Sequence, residues 1–152
     1  VGNLIGPVAW RVPRNENARR IQAGLNFLPP MEVNLDPTMT IEGVYGNYLK
    51  TALADQLEYL CPAPLTEDQI DELNWLAAAV FRVTGCLDVS RIDFRLDIED
   101  NLKPYILEIN PLPGLMPKLS DIVIEAEADG ISHTELVNMI LNAALKRYGM
   151  IE

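Results

Sequence analysis

A stretch of strict alternation in the second half of the chain restricts the fold more than any other feature. Apolar and charged residues alternate over residues 89–97, and a period of two is typical of a half-buried β-strand. One face has Ile92, Phe94 and Leu96, and the other has Arg91, Asp93, Arg95 and Asp97. The turn-forming stretch IEDNLKP follows, and then a second apolar run from about Tyr105 to Asn110. This stretch predicts an antiparallel hairpin.

The second strand of this hairpin has two polar residues in an apolar setting. Alternation places Tyr105, Leu107 and Ile109 on one side and Ile106, Glu108 and Asn110 on the other. If the apolar sets of both strands pack on one core, Arg91 and Asp93 share a face with Glu108 and Asn110. Carboxylate and amide oxygens are hard ligands of the kind that Mg²⁺ prefers, and an arginine can neutralise charge that develops on a phosphoryl group or a tetrahedral intermediate. The hairpin therefore predicts a divalent-metal site beside a fixed cation.

A simpler interpretation of the same alternation is a solvated strand face with weak cross-strand ion pairs. The residues after the second strand favour a site instead. PLPG, residues 111–114, forms a rigid segment directly after Asn110. Gly114 would let a ligand approach the backbone closely, or leave a main-chain N–H to bind an oxyanion.

Two helices are predicted from their boundaries. Thr66 with Gln69, and Ser132 with Glu135, have the spacing of capping boxes. An apolar face at helical spacing follows each of them, and the two helices end near Gly85 and Gly149. His133, in the first turn of the last helix, is expected to be solvated. LPPMEVNL, residues 28–35, predicts an antiparallel edge strand. The fold class expected is α+β, an antiparallel β-sheet flanked by helices.

The length of 152 residues fits a single domain, 1–152. Residues 36–64 have mixed patterning with prolines at both ends, which predicts a long mobile loop region with one short helix. The chain opens with VGNLIG, which is typical of the middle of a strand. We therefore expect a C-terminal fragment of a longer protein.

Composition excludes several classes of partner. The formal net charge of −10 disfavours general binding to nucleic acid or anionic lipid. No apolar run approaches the length of a membrane helix. Four arginines are grouped in RVPRNENARR, which is either a solvated loop or a phosphate contact. Cys61 and Cys86 lack the spacing of a zinc site, and unpaired cysteines without an export signal indicate the cytoplasm.

The motifs of the hairpin resemble a known family. RIDFRLD (91–97), then LEINPLPGL (107–115) and a helix ending in a tyrosine, resemble the C-terminal part of ATP-grasp ligases, most closely the D-alanine:D-alanine ligase group. EYLCPAPLTEDQ (58–69) is also similar to that group. The resemblance extends from about residue 45 to 148. It implies the C-terminal lobe of an ATP-grasp fold, with the nucleotide hinge and the N-terminal substrate domain absent from this sequence.

The resemblance also implies roles for individual residues. Asp93, Glu108 and Asn110 match the ligands of two Mg²⁺ (or Mn²⁺) ions that bind the ATP phosphates. Arg91 matches the arginine that stabilises the acyl-phosphate and tetrahedral transition states. Gly114 matches a glycine whose backbone N–H contributes to the oxyanion hole, and Lys50 matches a lysine of the mobile loop that approaches the phosphates. The reaction implied has two steps: ATP phosphorylates a small-molecule carboxylate, and an amine attacks the acyl phosphate.

One departure from the family concerns substrates. The Ser-Leu pair that holds the carboxylate of the second substrate is replaced here by LMPKLSD, with Leu119 at the serine position and Ser120 one residue later. Two other functions stay open: a non-catalytic binding or structural module derived from an ATP-grasp protein, and a metal-dependent phosphohydrolase, for which no water-activating base is evident. A lobe without its partner domains would expose an apolar sheet face, so we also expect a homodimer.

Overall fold

The computed structural model describes residues 3–5, 20–34 and 58–152 of the chain. The strands are β1 (Asn3–Ile5), β2 (Met31–Asn34), β3 (Glu58–Leu60), β4 (Arg91–Asp97) and β5 (Lys103–Asn110), and the helices are α1 (Glu67–Val83), α2 (Asp121–Ala128) and α3 (His133–Arg147). All the strand pairs are antiparallel in the part of the chain that is described. The predicted α+β class, with antiparallel strands and flanking helices, is confirmed.

A three-stranded sheet has the order β1-β2-β3. Its β1 strand confirms the strand expected in VGNLIG. The prediction that residues 28–35 form an edge strand is wrong, because β2 pairs with β1 on one side and β3 on the other. The two prolines that suggested an edge, Pro29 and Pro30, come just before the first paired residue, Met31. They therefore remove no hydrogen bond from the middle of the ladder.

The predicted loop region 36–64 ends in regular structure. Glu58–Leu60 forms β3, in which Leu60 is opposite Glu32 and Tyr59 is opposite Val33. Three residues are too few to establish a period of two, so the sequence pattern missed this strand. Residues 36–57, where the rest of the predicted loop falls, lie outside the described residues.

The β4–β5 hairpin is present as predicted, with one irregularity. Asp93 is opposite Glu108, but Phe94 is opposite Ile106, so Leu107 is the extra residue of a β-bulge. Paired residues share a face of the sheet. Ile106 therefore lies on the face of Phe94, and the prediction that it shares a face with Glu108 is wrong, because the bulge interrupts the alternation of β5.

The core lies between the hairpin and the helices. Phe94 and Leu96, on one face of β4, are each only 2% exposed. Ile122, Val123, Ala126 and Leu136 form a buried cluster that joins α2 to α3. β1 lies beside β4, which brings the two sheets together. Through the buried cluster, the first turn of α2 is packed against α3.

Both predicted capping boxes are present. Thr66 Oγ1 accepts a hydrogen bond from Gln69 N at 3.3 Å, and Gln69 Oε1 accepts one from Thr66 N at 2.8 Å. Ser132 and Glu135 make the equivalent pair at the start of α3. Each box provides side-chain acceptors for two backbone N–H groups at the start of its helix.

We predict that Thr66→Ala lowers the free energy of unfolding by about 1 kcal/mol, since it removes the acceptor of an N-cap hydrogen bond. For a chain of this length the melting temperature should fall by roughly 3 °C, measured by circular dichroism. Thr134→Ala, an exposed threonine in the first turn of α3, is the matched control and should leave the melting temperature within about 1 °C. Equal losses in both variants would contradict the capping role.

Candidate functional site

The polar face of the hairpin brings four of the predicted residues together. Arg91 is opposite Asn110, and Asp93 is opposite Glu108, with the pair Ile92–Ile109 between them in the β4–β5 ladder. Directly opposed residues in an antiparallel pair have Cα atoms about 4.5–5.5 Å apart. The sequence therefore placed these four residues on one face correctly, and the bulge begins only beyond them.

Arg91 is oriented by the carboxylate of Asp93. Its Nε donates to Asp93 Oδ1 at 2.7 Å and its Nη2 donates to Asp93 Oδ2 at 2.8 Å. The Arg91 side chain is 10% exposed and that of Asp93 is 17% exposed. Such a two-point pair fixes the plane of the guanidinium as well as its position.

The carboxylate of Asp121 also binds the Arg91 guanidinium, a contact that the sequence did not predict. Arg91 Nη1 donates to Asp121 Oδ2 at 2.5 Å, and Asp121 is buried. Asp121 is the first residue of α2, and Ser120 is its N-cap. An acidic residue in a first turn is the usual complement of the helix dipole, so the sequence around Asp121 gave no sign of a partner 30 residues away.

Glu125 lies one helical turn after Asp121 and is 7% exposed. Burial is the main cause that raises the pKa of Glu125 to about 8; the charges of Asp121 and Asp93 act in the same direction, and Arg91 acts in the opposite one. Its carboxyl group is therefore largely protonated in the folded protein at neutral pH. A protonated Glu125 adds no third negative charge beside the carboxylates of Asp93 and Asp121.

Glu125 lines a cavity of about 260 Å³. Its walls are mainly apolar and include Phe81, Phe94 and Leu136. Arg91 and Glu125 also line it, so the ion cluster borders a medium of low polarity on this side. Charged forms are disfavoured in such a medium unless they are paired.

The segment after β5 is held by short-range hydrogen bonds. Asn110 Oδ1 accepts from Leu112 N at 3.1 Å, and Ser120 Oγ accepts from Met116 N at 2.9 Å. A Cβ atom on Gly114 would lie 2.9 Å from Ser120 Oγ. The absence of a side chain at Gly114 thus lets the PLPG segment pass close to the start of α2.

The sequence predicted that His133 is solvated, but its side chain contacts the backbone. Its Nε2 atom is 2.9 Å from Leu115 O, and the residue is half-buried. The contact links the first turn of α3 to the segment that follows Gly114. Proximity of this kind depends on the packing of α3 and is not visible in the sequence.

The donor set on the hairpin fits a hard cation. Asp93, Glu108 and Asn110 provide two carboxylates and one amide oxygen, and Mg²⁺ typically takes one or two carboxylates and leaves other positions to water and phosphate. Glu108 is exposed, so its carboxylate is open to a ligand. The described ranges contain no group of three or more His, Cys, Asp or Glu side chains arranged around one metal position. Asp93 instead directs both oxygens at Arg91.

The remaining residues singled out in the sequence are Lys50 and the two cysteines. Lys50 lies outside the described residues. Cys61 and Cys86 are free thiols. Burial, followed by the charges of Glu125 and Asp129, raises the pKa of Cys61 to about 11. This thiol therefore stays protonated near neutral pH and is a poor nucleophile. Over the described ranges, no helix is both long and apolar enough to cross a membrane.

We predict that Glu125 makes the protein less stable as the pH rises from about 4.5 to about 8. The folded state binds this proton more tightly than the unfolded state does, so its contribution is complete below pH 4.5 and is lost as the pH passes about 8. Glu72, whose pKa burial raises to about 7, acts in the same direction.

In the wild type the free energy of unfolding should fall as the pH rises, and Glu125→Gln should reduce that fall by on the order of a few kcal/mol. The measurement is urea denaturation at about pH 5 and about pH 8 in metal-free buffer. Glu127→Gln, an exposed acid on the same helix, should leave the pH dependence as in the wild type. If Glu125→Gln also leaves it unchanged, the carboxyl group is not protonated in the folded state.

Comparison with known proteins gives one consistent result. The family model described as D-ala D-ala ligase C-terminus matches residues 28–142. The chain is 35% identical over 136 residues to the D-alanine–D-alanine ligase of Paraburkholderia phytofirmans, which covers 84% of this chain and 41% of that protein. It is 40% identical over 108 residues to the ligase of Burkholderia multivorans, covering 68% of the chain and 32% of the relative. An uncharacterized protein y4sG of Sinorhizobium fredii is 35% identical over 128 residues, covering 82% of the chain and 35% of that protein.

Solved structures agree with this at the level of the fold. The D-alanine–D-alanine ligase of Bacillus anthracis, complexed with ATP, matches with a TM-score of 0.59 and 20% identity, over 78% of this chain and 34% of that one. The chain thus spans about two fifths or less of the proteins it matches. With the family model matching most of its length, the chain belongs to the family of D-alanine–D-alanine ligase C-terminal domains.

Proposed function

We propose that the chain supplies the metal-binding half of the nucleotide site in an ATP-dependent carboxylate–amine ligase. In this reaction ATP phosphorylates a carboxylate, and an amine then attacks the acyl phosphate and releases phosphate. The observation that supports it most directly is the pairing of Asp93 with Glu108 beside an oriented Arg91, on adjacent strands of one sheet. Membership of the ligase family supports the reaction class.

Three residues would hold the cations. Asp93 and Glu108, with the amide oxygen of Asn110, offer oxygen donors on rigid strands to Mg²⁺ or Mn²⁺. The ions, when bound, would neutralise negative charge on the ATP phosphates. Since Asn110 Oδ1 already accepts from Leu112 N, its orientation is set by the backbone before any ion arrives. The protein's part is thus to hold the donors in place.

Arg91 and Gly114 would act on the charge that forms in the reaction. The guanidinium of Arg91 is held beside the donor set, where it stabilises negative charge on the transferring phosphoryl group and on the tetrahedral intermediate. The backbone N–H of Gly114, an exposed residue, is proposed as an oxyanion donor. Lys50 is proposed to reach the phosphates from the loop region 36–64.

The substrates proposed are a small carboxylate and a small amine, most simply two amino acids joined as a dipeptide. The relatives are named for D-alanine. In this chain Ser120 Oγ already accepts a hydrogen bond from Met116 N, and Leu119 is 50% exposed. Leu119, at the serine position, has no hydroxyl to donate to a substrate carboxylate, so the second substrate need not be D-alanine. The free thiols of Cys61 and Cys86 support the cytoplasmic location predicted from the sequence.

A non-catalytic binding module derived from the same family is the alternative. The engagement of both Asp93 oxygens by Arg91 favours it, since the ion pairs alone would give these residues a structural role. Retention of all three donors argues for the ligase, because neighbouring carboxylates repel one another when no cation is present. The two functions differ in whether ATP is consumed.

A homodimer is also proposed, through the outer edge of the hairpin. Tyr105, Ile106 and Leu107 on β5 are 48%, 44% and 57% exposed, which is unusual for three successive apolar residues. We expect sedimentation velocity of this chain to give a dimer at micromolar concentration. Leu107→Lys should shift the distribution toward monomer, whereas Leu112→Lys, on an exposed leucine outside the strand, should not. A monomer at high protein concentration would contradict the dimer.

The ligase is tested by ADP release from the full-length gene product with Mg²⁺ over a panel of D- and L-amino acids. We expect ADP formation that requires a particular amino acid and falls by about 100-fold or more in Glu108→Gln, which removes a charged ligand. Glu99→Gln, on an exposed acid of the hairpin turn, is the matched control and should keep wild-type activity. Folded protein that binds nucleotide but releases no ADP with any amino acid would support the binding module instead.

A further inference from the structure

Two carboxylates from different elements hold the Arg91 guanidinium. Asp93, on the same strand, accepts from Nε and Nη2, and Asp121, on α2, accepts from Nη1. The two carboxylates therefore use different nitrogens. Either one can keep its hydrogen bonds when the other moves away.

The metal role proposed for Asp93 competes with its contact to Arg91. Both Asp93 oxygens accept from the guanidinium, at 2.7 and 2.8 Å. A divalent cation held by Asp93 and Glu108 would use the same oxygens and would repel the guanidinium. Because the Arg91 side chain is only 10% exposed, it has little access to water that could replace the lost hydrogen bonds.

We propose that Asp121 is a positioning residue, which keeps Arg91 in place when Asp93 turns toward a metal ion. The inference rests on the proposed function and adds to it a residue to which no sequence motif assigned a role. Asp121 acts through Arg91 and is not itself a metal ligand. Its backbone is fixed, because the next two residues, Ile122 and Val123, are buried in the cluster that joins α2 to α3.

The geometry distinguishes this role from that of an ordinary acid at a helix start. Such an acid is usually solvent-exposed and complements the helix dipole. Asp121 is 4% exposed and directs Oδ2 at Arg91 Nη1. The adjacent N-cap, Ser120, makes no side-chain cap hydrogen bond and accepts instead from Met116 N. At the start of α2, the buried carboxylate of Asp121 is therefore paired with Arg91, and the N-cap side chain is directed at the preceding segment.

The test is Mn²⁺ binding, followed by electron paramagnetic resonance in the full-length gene product without nucleotide. Asp121→Asn should weaken Mn²⁺ binding by about tenfold, because Arg91 would be left as a buried cation without a carboxylate once Asp93 binds the ion. Asp121→Glu keeps the charge but displaces the carboxylate by one methylene, and should weaken binding by about threefold.

A matched control exists elsewhere in the chain. Asp88 makes a similar two-point pair with Arg147, at 3.0 and 2.7 Å. Asp88→Asn removes a carboxylate from an arginine without touching Arg91, and should leave Mn²⁺ affinity within about twofold of wild type. The wild-type to Asp121→Asn ratio should persist in about 0.5 M KCl, since buried pairs are screened much less than exposed charges.

The outcomes separate this inference from the proposed function. If Glu108→Gln abolishes Mn²⁺ binding but both Asp121 variants bind as wild type does, the site stands and the positioning role is overturned. A loss in Asp121→Asn that vanishes in high salt, with Asp121→Glu unchanged, also overturns it, because charge alone would explain the result. Absence of a Mn²⁺ site in the wild type overturns both proposals.

Folding of each variant is checked by its far-ultraviolet circular dichroism. Should Asp121→Asn fail to fold, Asp121→Glu decides the question: threefold weaker binding supports the positioning role, and wild-type binding overturns it. Because the Glu variant retains the charge, only the position of the carboxylate differs from wild type.

Discussion

The ion network of Arg91, Asp93 and Asp121 is the interaction on which the arrangement of the site depends. It joins the hairpin to the first residue of α2 through one guanidinium. All three side chains are at most 17% exposed. Desolvating such charges is costly, and the cost is offset only when the hydrogen bonds are made in full. The network therefore specifies one orientation of α2 against the hairpin, and the apolar cluster of α2 and α3 packs in agreement with it.

The register of the hairpin is the second constraint. A shift by one residue would turn Glu108 to the opposite face and separate it from Asp93. The bulge between Asp93 and Phe94 divides the hairpin at this point. The polar pairs Arg91–Asn110 and Asp93–Glu108 of the site lie on one side of the bulge, and the buried Phe94 and Leu96 of the core lie on the other.

The features that the sequence predicted correctly depend on residues close together along the chain. The capping boxes of Thr66 and Ser132 depend on residues three positions apart, and both were found. The shared face of Asp93 and Glu108 followed from alternation together with a short turn. The three-residue strand β3, the bulge at Leu107 and the contact between Asp121 and Arg91 were missed. Each of these depends on a tertiary neighbour rather than on a pattern along the chain, and so no period or spacing could have revealed it.

Electrostatics connects the fold to the function proposed. One guanidinium pairs with the carboxylates of Asp93 and Asp121, and Glu108 lies opposite Asp93, within a chain of net charge −10. Protonation of Glu125 limits this excess, since burial raises its pKa to about 8. The remaining negative charge repels a polyphosphate until a divalent cation occupies the donors. Nucleotide binding at such a site should therefore be coupled to metal binding. On the function proposed, Arg91 would contribute to catalysis only if Asp121 still held it after a metal ion had bound Asp93.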